Sequence, residues 1–504
     1  MSFARRGLLG GLALSAVLSV SVQAAPIDPS TLRKVATVDP RFQSYNVEMV
    51  EVTGGRFWKP YRLGPPKDAD DRYAYRPPVD LANARLRRLA GALGPVYIRI
   101  SGTWASATYI AARDSVAAPS GFTTVLTPTQ WRGVAAFAKA VGGEVVLSSP
   151  TSPGTRDTAG VWQSGQLEAL LRQSREMGIP VAAVAFMNEP NLIGGTGAPK
   201  DYGIAEYARD YTRFASAVRR VAPRAKLLGP GAVGGKNLDA IAAAGGLRTL
   251  PARDLIAATR HAVDVYNYHH YGSVSQRCAT SGPLSTTLPD ALDPAWLART
   301  EDTFRFHAGL RAAHAPRAPI WVTETAQAAC GGSPWAATFA DTPRYVDQLG
   351  RLARLGVKAV FHNTLAASDY ALLDERDFAP RPNYWAALLW ARLADPRVLD
   401  LPSPAPTLRT YAHCLKDVRG GVMLVAINLE NERQALAFGG KGLAYSLGGA
   451  DAGKGVALNG NRLALDESDR LPAMPGCTVA GAAEVEPGGV TFVALPRAGN
   501  RACR

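Results

Sequence analysis

Val181-Ala182-Ala183-Val184-Ala185-Phe186-Met187-Asn188-Glu189-Pro190-Asn191 is an apolar run of strand length that closes on a carboxylate. A second run, Pro319-Ile320-Trp321-Val322-Thr323-Glu324-Thr325, closes the same way. Continuous apolar segments this short, bounded by Gly and Pro, read as strands of a parallel sheet buried on both faces. Carboxylates at the C-terminal ends of such strands stand where barrel enzymes keep their chemistry. Two of them on different strands satisfy the need of glycoside hydrolysis: one carboxyl to protonate the leaving oxygen, the other to attack the anomeric carbon or activate water. Asn188 adds an amide able to hold a sugar hydroxyl, and Pro190 ends the strand so that Glu189 faces the mouth.

Working outward, short apolar segments alternate with helical-period ones from about residue 41 to 395. The strand candidates are Ser44 to Val50, Val96 to Ser101, Glu144 to Ser149, Val181 to Met187, Lys226 to Gly229, Val263 to Tyr268, Ile320 to Thr323 and Val357 to His362. Eight strands with intervening helices predict an α/β fold, a (β/α)8 TIM barrel. The rival doubly wound sheet expects a Gly-rich phosphate turn after its first strand, and the sequence has none. From 402 to 504 the pattern becomes alternating apolar segments punctuated by Gly439-Gly440, Asn459-Gly460 and Gly488-Gly489, which predicts a C-terminal β-sandwich domain. A short alternation within 25–40 is expected to be an N-terminal strand joining that sandwich.

Residues 1–24 carry a basic start with Arg5-Arg6, an apolar run from Gly7 to Val20 and a small-residue site at Ala24. That is the layout of a signal peptide, and it predicts a secreted or periplasmic product. Arg5-Arg6 reads as an ordinary basic n-region, with a twin-arginine signal as the second reading. No later apolar stretch has transmembrane length, so no stable membrane insertion is expected. The 504 residues carry a net charge of +14, from 56 Lys+Arg against 42 Asp+Glu. An excess of that sign suits a polyanionic partner. The arginines are dispersed and no nucleic-acid-binding motif is present, so nucleic acid is not the expected partner. Five cysteines in an oxidising compartment predict two bridges and one leftover thiol. Their spacing, without nearby histidines, gives no zinc site, and neither a cofactor nor a metal is expected.

Further motifs extend the pattern. Tyr97-Ile98-Arg99-Ile100-Ser101-Gly102-Thr103, His269-His270-Tyr271-Gly272, Asn363-Thr364-Leu365, Asp369-Tyr370-Ala371-Leu372-Leu373, Pro382-Asn383-Tyr384-Trp385 and Val456-Ala457-Leu458-Asn459-Gly460 occur in that order. Together with Asn188-Glu189-Pro190 and Thr323-Glu324-Thr325, this set resembles glycoside hydrolase family 79, the heparanase and β-glucuronidase family of clan A, over most of the mature chain. The resemblance implies Glu189 as acid/base, Glu324 as nucleophile and Tyr271 as the phenol that orients the nucleophile. It also implies substrate contacts from Glu48, where the family often has Asp, from Asn363, where relatives carry Gln, and from the Tyr370 loop, which holds a glucuronate carboxylate. In that loop relatives have Gly-Gly-Asn where this chain has Ala367-Ser368-Asp369, so Asp369 must turn away from an anion. Strand alternation puts His269 on the face of Tyr271 and His270 on the other, making His269 a substrate-side residue and His270 a structural one. Asn188 and Arg99 complete the candidate substrate-binding set, Arg99 as an anion contact or as a partner behind the site. For the cysteines the resemblance implies Cys414 with Cys503 and suggests Cys278 with Cys330, leaving Cys477 free.

The expected protein is a monomeric, exported, retaining β-glucuronidase of heparanase type, cleaving internal glucuronosyl linkages of heparan sulfate. An exo-acting β-glucuronidase is the alternative within the family. A glucosidase or xylanase from another family of the clan, lacking uronate preference, is a further one. A non-catalytic polyanion-binding protein on an inactive barrel is the alternative from another class.

Overall fold

The computed structural model describes residues 26–238, 248–259 and 262–504. The expected signal peptide falls outside the described residues. Eight parallel strands close into a barrel: β1 (Gln43–Glu48), β2 (Tyr97–Ser101), β3 (Glu144–Ser148), β4 (Val181–Ala185), β5 (Lys226–Val233), β6 (Val265–Tyr271), β7 (Ile320–Ala326) and β8 (Ala359–His362). All eight strand candidates are present, and β8 pairs with β1 to close the ring.

Period-two alternation sorts each strand into a face toward the barrel axis and a face toward the helices. Tyr97, Val146, Ala183, Ala185, Leu228, Val265, Trp321, Ala359 and Phe361 form one buried apolar cluster that fills the barrel floor. Two residues further along the strands the inward positions turn polar: Arg99 above Tyr97, Asn267 above Val265 and Asn363 above Phe361 are each buried. The chemistry therefore sits on a packed plug, the arrangement that makes a barrel a scaffold and not a pore.

The C-terminal region is an antiparallel sheet of nine strands, eight along one hydrogen-bonded path and the ninth, Cys477–Val485, branching onto the long strand Gln434–Ala450. It begins with Ala394–Leu399, ahead of the expected start at 402, and that strand pairs with Lys34–Thr37 from the N-terminal segment. The sheet encloses its own apolar core, including Leu399, Val422, Leu424, Val485 and Val493. Its opposite face, with Met423, Val425, Ile427 and Phe492, joins the main core of the barrel.

Between the two lies the helix Thr342–Arg354, buried nearly all round. Its buried charges are paired, Arg351 with Asp347 one turn away at 2.9 Å and Arg344 with the preceding N-cap residue Asp341 at 2.5 Å, as burial of charge demands. Gly350 lets the sheet approach, since a Cβ there would lie 2.3 Å from the Tyr411 ring. Disulfides join Cys278 to Cys330 and Cys414 to Cys503, while Cys477 is free and exposed. Among the described residues no helix is long and apolar enough to cross a membrane.

Candidate active site

Glu324 lies inside β7, not at its end. Strict alternation would give the inward position after Trp321 to Thr323 and send Glu324 outward. The register shifts here: Tyr268 pairs with Val322, but the next residue, His269, pairs with Glu324. Skipping Thr323 is a bulge, and it turns Glu324 back toward the axis, the use bulges commonly have beside active sites. Glu189 reaches the same space differently. β4 stops at Ala185, and Glu189 sits beyond it with φ 49°, in the left-handed region sparsely used by residues with a Cβ.

The Glu324 carboxylate is held at both oxygens. Arg99 Nη1 donates to Oε2 and the Tyr271 hydroxyl donates to Oε1, each at 2.7 Å. Arg99 also donates from Nη2 to Asn188 Oδ1 at 2.8 Å, so one guanidinium from β2 fixes both the carboxylate on β7 and the residue before Glu189. The same Nη2 lies 3.3 Å from His269 Nε2. Arginine has no acceptor, so this histidine nitrogen accepts and Nδ1 carries the ring proton. Nδ1 is 3.0 Å from Glu189 Oε1 and 3.7 Å from Glu324 Oε2, which makes His269 a donor set between the two glutamates.

Donor atoms of Glu189, His269 and Glu324 all lie within 4.8 Å of one another. The trio could offer ligands to a cation, but Arg99 already occupies Glu324 Oε2 and adds a fixed positive charge beside it. The two carboxyls are pushed in opposite directions. Burial raises the pKa of Glu189; the hydrogen bond from His269 offsets part of this and the charge of Glu324 adds to it. Burial raises Glu324 too, but His269, Arg99 and the hydrogen bonds from Tyr271 and Arg99 outweigh it, leaving its pKa below the usual carboxylate value. Opposed shifts in a close pair separate an acid from an ionised carboxylate.

Around this centre the remaining candidates converge. Asn363 donates to the Tyr271 hydroxyl at 3.1 Å and to the Tyr370 hydroxyl at 3.0 Å, and accepts from Asn46 at 3.1 Å. Glu48 ends β1 with its side chain buried and Oε2 unpartnered. Burial first, then the nearby charge of Glu324, holds its pKa well above the usual value. The Ser101-Gly102-Thr103 turn makes room for it, since a Cβ on Gly102 would lie 1.5 Å from Glu48 Oε2. His270 faces the other way, its ring 3.1 Å from Thr303 and 3.2 Å from Thr300 on the helix Pro294–His314.

Two contributors had no clear signal in the sequence. Glu51 sits one helical turn behind Glu48, accepts the Glu48 backbone N–H at 2.7 Å and is buried. Arg277 follows β6 and donates to the Lys59, Cys330 and Gly332 carbonyls at 2.7, 3.0 and 2.6 Å, and to Asp369. It thereby ties the loops after β1, β7 and β8 to its own, beside the Cys278–Cys330 bridge. Asp369 is drawn toward Arg277 and the Tyr61 N–H, the latter at 3.1 Å, so its charge is matched.

No family model matches the chain. It is 38% identical over 172 residues to heparanase-like protein 1 of Arabidopsis thaliana, covering 34% of this chain and 30% of that protein. Identity to heparanase-like protein 3 of Arabidopsis thaliana is 24% over 71% of this chain and 67% of the relative. For heparanase of Bos taurus it is 31% over 44% of this chain and 43% of the relative. The matches thus span between about a third and two thirds of these relatives' own lengths. The inactive heparanase-2 of Mus musculus also matches, at 26% identity over 62% of this chain and 55% of that protein. Among solved structures, a 4-O-α-L-rhamnosyl-β-D-glucuronidase from Fusarium oxysporum superposes with a TM-score of 0.63 at 16% identity, over 94% of this chain and 99% of that one. A family 51 α-L-arabinofuranosidase from Bifidobacterium longum gives 0.62 at 14%, over 92% and 98%. The structural likenesses establish the fold. The chain has heparanases and heparanase-like proteins as its homologues.

Proposed function

We propose that this homologue of the heparanases is an exported retaining β-glucuronidase, endo-acting on heparan sulfate or a related glucuronate-containing polysaccharide. One observation carries the reading: a carboxylate oxygen of Glu189 and one of Glu324 stand within 4.8 Å of each other, and the two groups have opposed pKa shifts. A pair this close leaves no room for a water between carboxyl and sugar and suits direct attack, which is the retaining geometry.

In the first step an oxygen of Glu324 attacks the anomeric carbon while Glu189 gives its proton to the departing glycosidic oxygen, forming a glycosyl ester. Consuming the Glu324 charge removes part of what keeps Glu189 protonated. Glu189 then accepts a proton from water as that water attacks the same carbon, and Glu324 is released as a carboxylate. His269, Arg99 and Tyr271 keep Glu324 ionised, and the hydrogen bonds from Arg99 and Tyr271 fix its rotamer in the free enzyme. In this reading Asn363, Glu48, Tyr370 and Asn188 meet sugar hydroxyls and the uronate carboxylate. A homologue called inactive shows that ancestry alone does not decide catalysis; the intact pair favours the enzyme over a non-catalytic polyanion binder. The +14 charge favours an acidic polymer, and two disulfides fit an oxidising compartment.

The test is paired: the size profile of heparan sulfate during digestion and release of aryl alcohol from an aryl β-glucuronide. An early fall in polymer size supports endo action. Monosaccharide release with no fall in size means exo action, and no turnover of either substrate rejects the assignment.

A further inference from the structure

Beyond the central pocket, the two-stranded hairpin formed by Gly55–Trp58 and Tyr73–Arg76, which follows β1, carries an unusual outer face. Its register pairs Trp58 with Tyr73 and Arg56 with Tyr75, and Phe57 with Ala74 on the opposite side. The inner face is ordinary core: Phe57 is fully buried, with the Arg76 guanidinium 4.9 Å above its ring. The outer face consists of Arg56, Trp58, Tyr73 and Tyr75, three aromatics and a cation where the solvated face of an antiparallel pair normally carries polar residues.

These rings form a continuous surface. Trp58 stacks on Tyr73 with centroids 4.8 Å apart, and Trp104 meets both edge-on at 6.1 and 6.4 Å. Trp58, Tyr73 and Trp104 are only partly buried, and Tyr75 is 73% exposed, one of four large apolar side chains described as open to solvent. Arg56 is exposed and its side chain donates to the Asp70 carbonyl at 2.7 Å; among the described residues no carboxylate forms an ion pair with it.

The surface borders the catalytic cleft at two points. Trp104 follows Thr103, whose hydroxyl accepts from Asn188 Nδ2 at 3.4 Å. Trp58 packs on Gly331, where a Cβ would meet the Trp58 Cβ at 2.6 Å and Ser368 Oγ at 2.5 Å; Ser368 lies two residues before Tyr370. A pyranose ring presents a face of C–H bonds that packs on aromatic rings, and its sulfate or carboxylate substituents pair with arginine.

We propose that Arg56, Trp58, Tyr73, Tyr75 and Trp104 form a binding ledge for a charged sugar of an acidic polysaccharide, one or more units away from the cleaved bond. This rests on the reading of the central site as a glycosidase of acidic polymers. The ledge takes the polymer and has no contact with a substrate small enough to fill only the central pocket.

The experiment measures binding of a size-defined heparan sulfate oligosaccharide to the Glu324→Gln protein by intrinsic tryptophan fluorescence, so that recognition is read without turnover. Tyr75→Ala, Arg56→Gln and Trp104→Ala are compared in that background, with Trp104→Phe as the conservative control. We expect roughly five- to tenfold weaker binding for each of the first three and partial rescue by Trp104→Phe, the size of effect a stacking or ion-pair contact carries. In the otherwise wild-type enzyme, kcat/KM on an aryl β-glucuronide stays within about twofold for Tyr75→Ala and Arg56→Gln, since neither touches the central pocket. Unchanged oligosaccharide affinity in Tyr75→Ala and Arg56→Gln overturns the ledge, whatever the catalytic result. Equal weakening of a neutral oligosaccharide by Arg56→Gln overturns its charge preference. If the wild-type enzyme cleaves neither substrate while the affinity losses appear, the catalytic assignment fails and the ledge stands.

Discussion

Arg99 on β2 and Glu324 on β7 form an ion pair of 2.7 Å with both side chains almost wholly buried. A buried pair is costly to break from one side, because the remaining charge stays desolvated. It also holds Glu324 ionised. Arg99→Met should therefore lower kcat/KM by about two to three orders of magnitude, the cost typical of losing a preorganised electrostatic contact. The acid limb of the pH–rate profile should move to higher pH, because Glu324 without Arg99 protonates more readily. An unchanged acid limb would show that Arg99 acts on Asn188 alone.

The opposed shifts of the carboxyl pair predict a bell-shaped profile. Its acid limb follows protonation of Glu324, whose pKa is lowered, and its alkaline limb follows ionisation of Glu189, whose pKa is raised; both limbs belong to the coupled pair. Glu189→Gln should flatten the alkaline limb and spare aryl glucuronides with good leaving groups far more than heparan sulfate. Glu324→Gln should abolish turnover of both. A Glu189→Gln enzyme equally impaired on both substrates would argue against its role as acid.

Glu51 makes the stability of the fold pH-dependent. Burial pushes its pKa up to about 8, partly countered by the Glu48 N–H and by Arg76. A carboxyl raised in the folded state binds its proton more tightly there than in the unfolded chain, so its stabilising contribution is complete below the unfolded pKa and is lost as pH climbs to about 8. Urea unfolding midpoints should fall between pH 5 and pH 9, measured at fixed salt, and Glu51→Gln should reduce that fall. An identical fall in the variant assigns the pH dependence elsewhere.

Ionic strength separates the polymer from a small substrate. Surface contacts between arginine and sulfate are screened within about 10 Å at 0.1 M salt, whereas buried contacts are screened far less. The apparent KM for heparan sulfate should rise several-fold from low to physiological salt while aryl glucuronide hydrolysis changes little. Equal responses would make the net charge a solubility feature.

The eight barrel strands were legible because a strand buried on both faces needs an unbroken apolar run, and each run carries that requirement locally. Glu189 and Glu324 were legible for the same reason, as carboxylates attached to such runs. The bulge at Thr323 was not, because it is a property of pairing between β6 and β7 and leaves no mark on either strand alone. Alternation within β6 correctly separated His269 from His270, since β6 keeps its period through Tyr271. The strand Cys477–Val485 has little sequence signal because few of its residues are buried and Gly481 interrupts them. The hairpin after β1 had a signal, Gly54-Gly55-Arg56-Phe57-Trp58 and Tyr73-Ala74-Tyr75-Arg76, obscured by the long connection between its strands. Arg277 was invisible: most of its partners are carbonyl oxygens, which every residue possesses.

Arg277 has a further consequence for how the mouth of the barrel can change. Four connections share one guanidinium, with a disulfide beside it, so a replacement in any of them alters the anchorage of the other three. Effects of substitutions there should combine non-additively, as expected for residues meeting at a common partner. Transplanting a single connection from a relative would leave donors or acceptors stranded at that junction. Redesign of specificity must exchange the four as a set, or leave them alone and work on Arg56 and Tyr75 of the hairpin, whose side chains point to solvent away from Arg277.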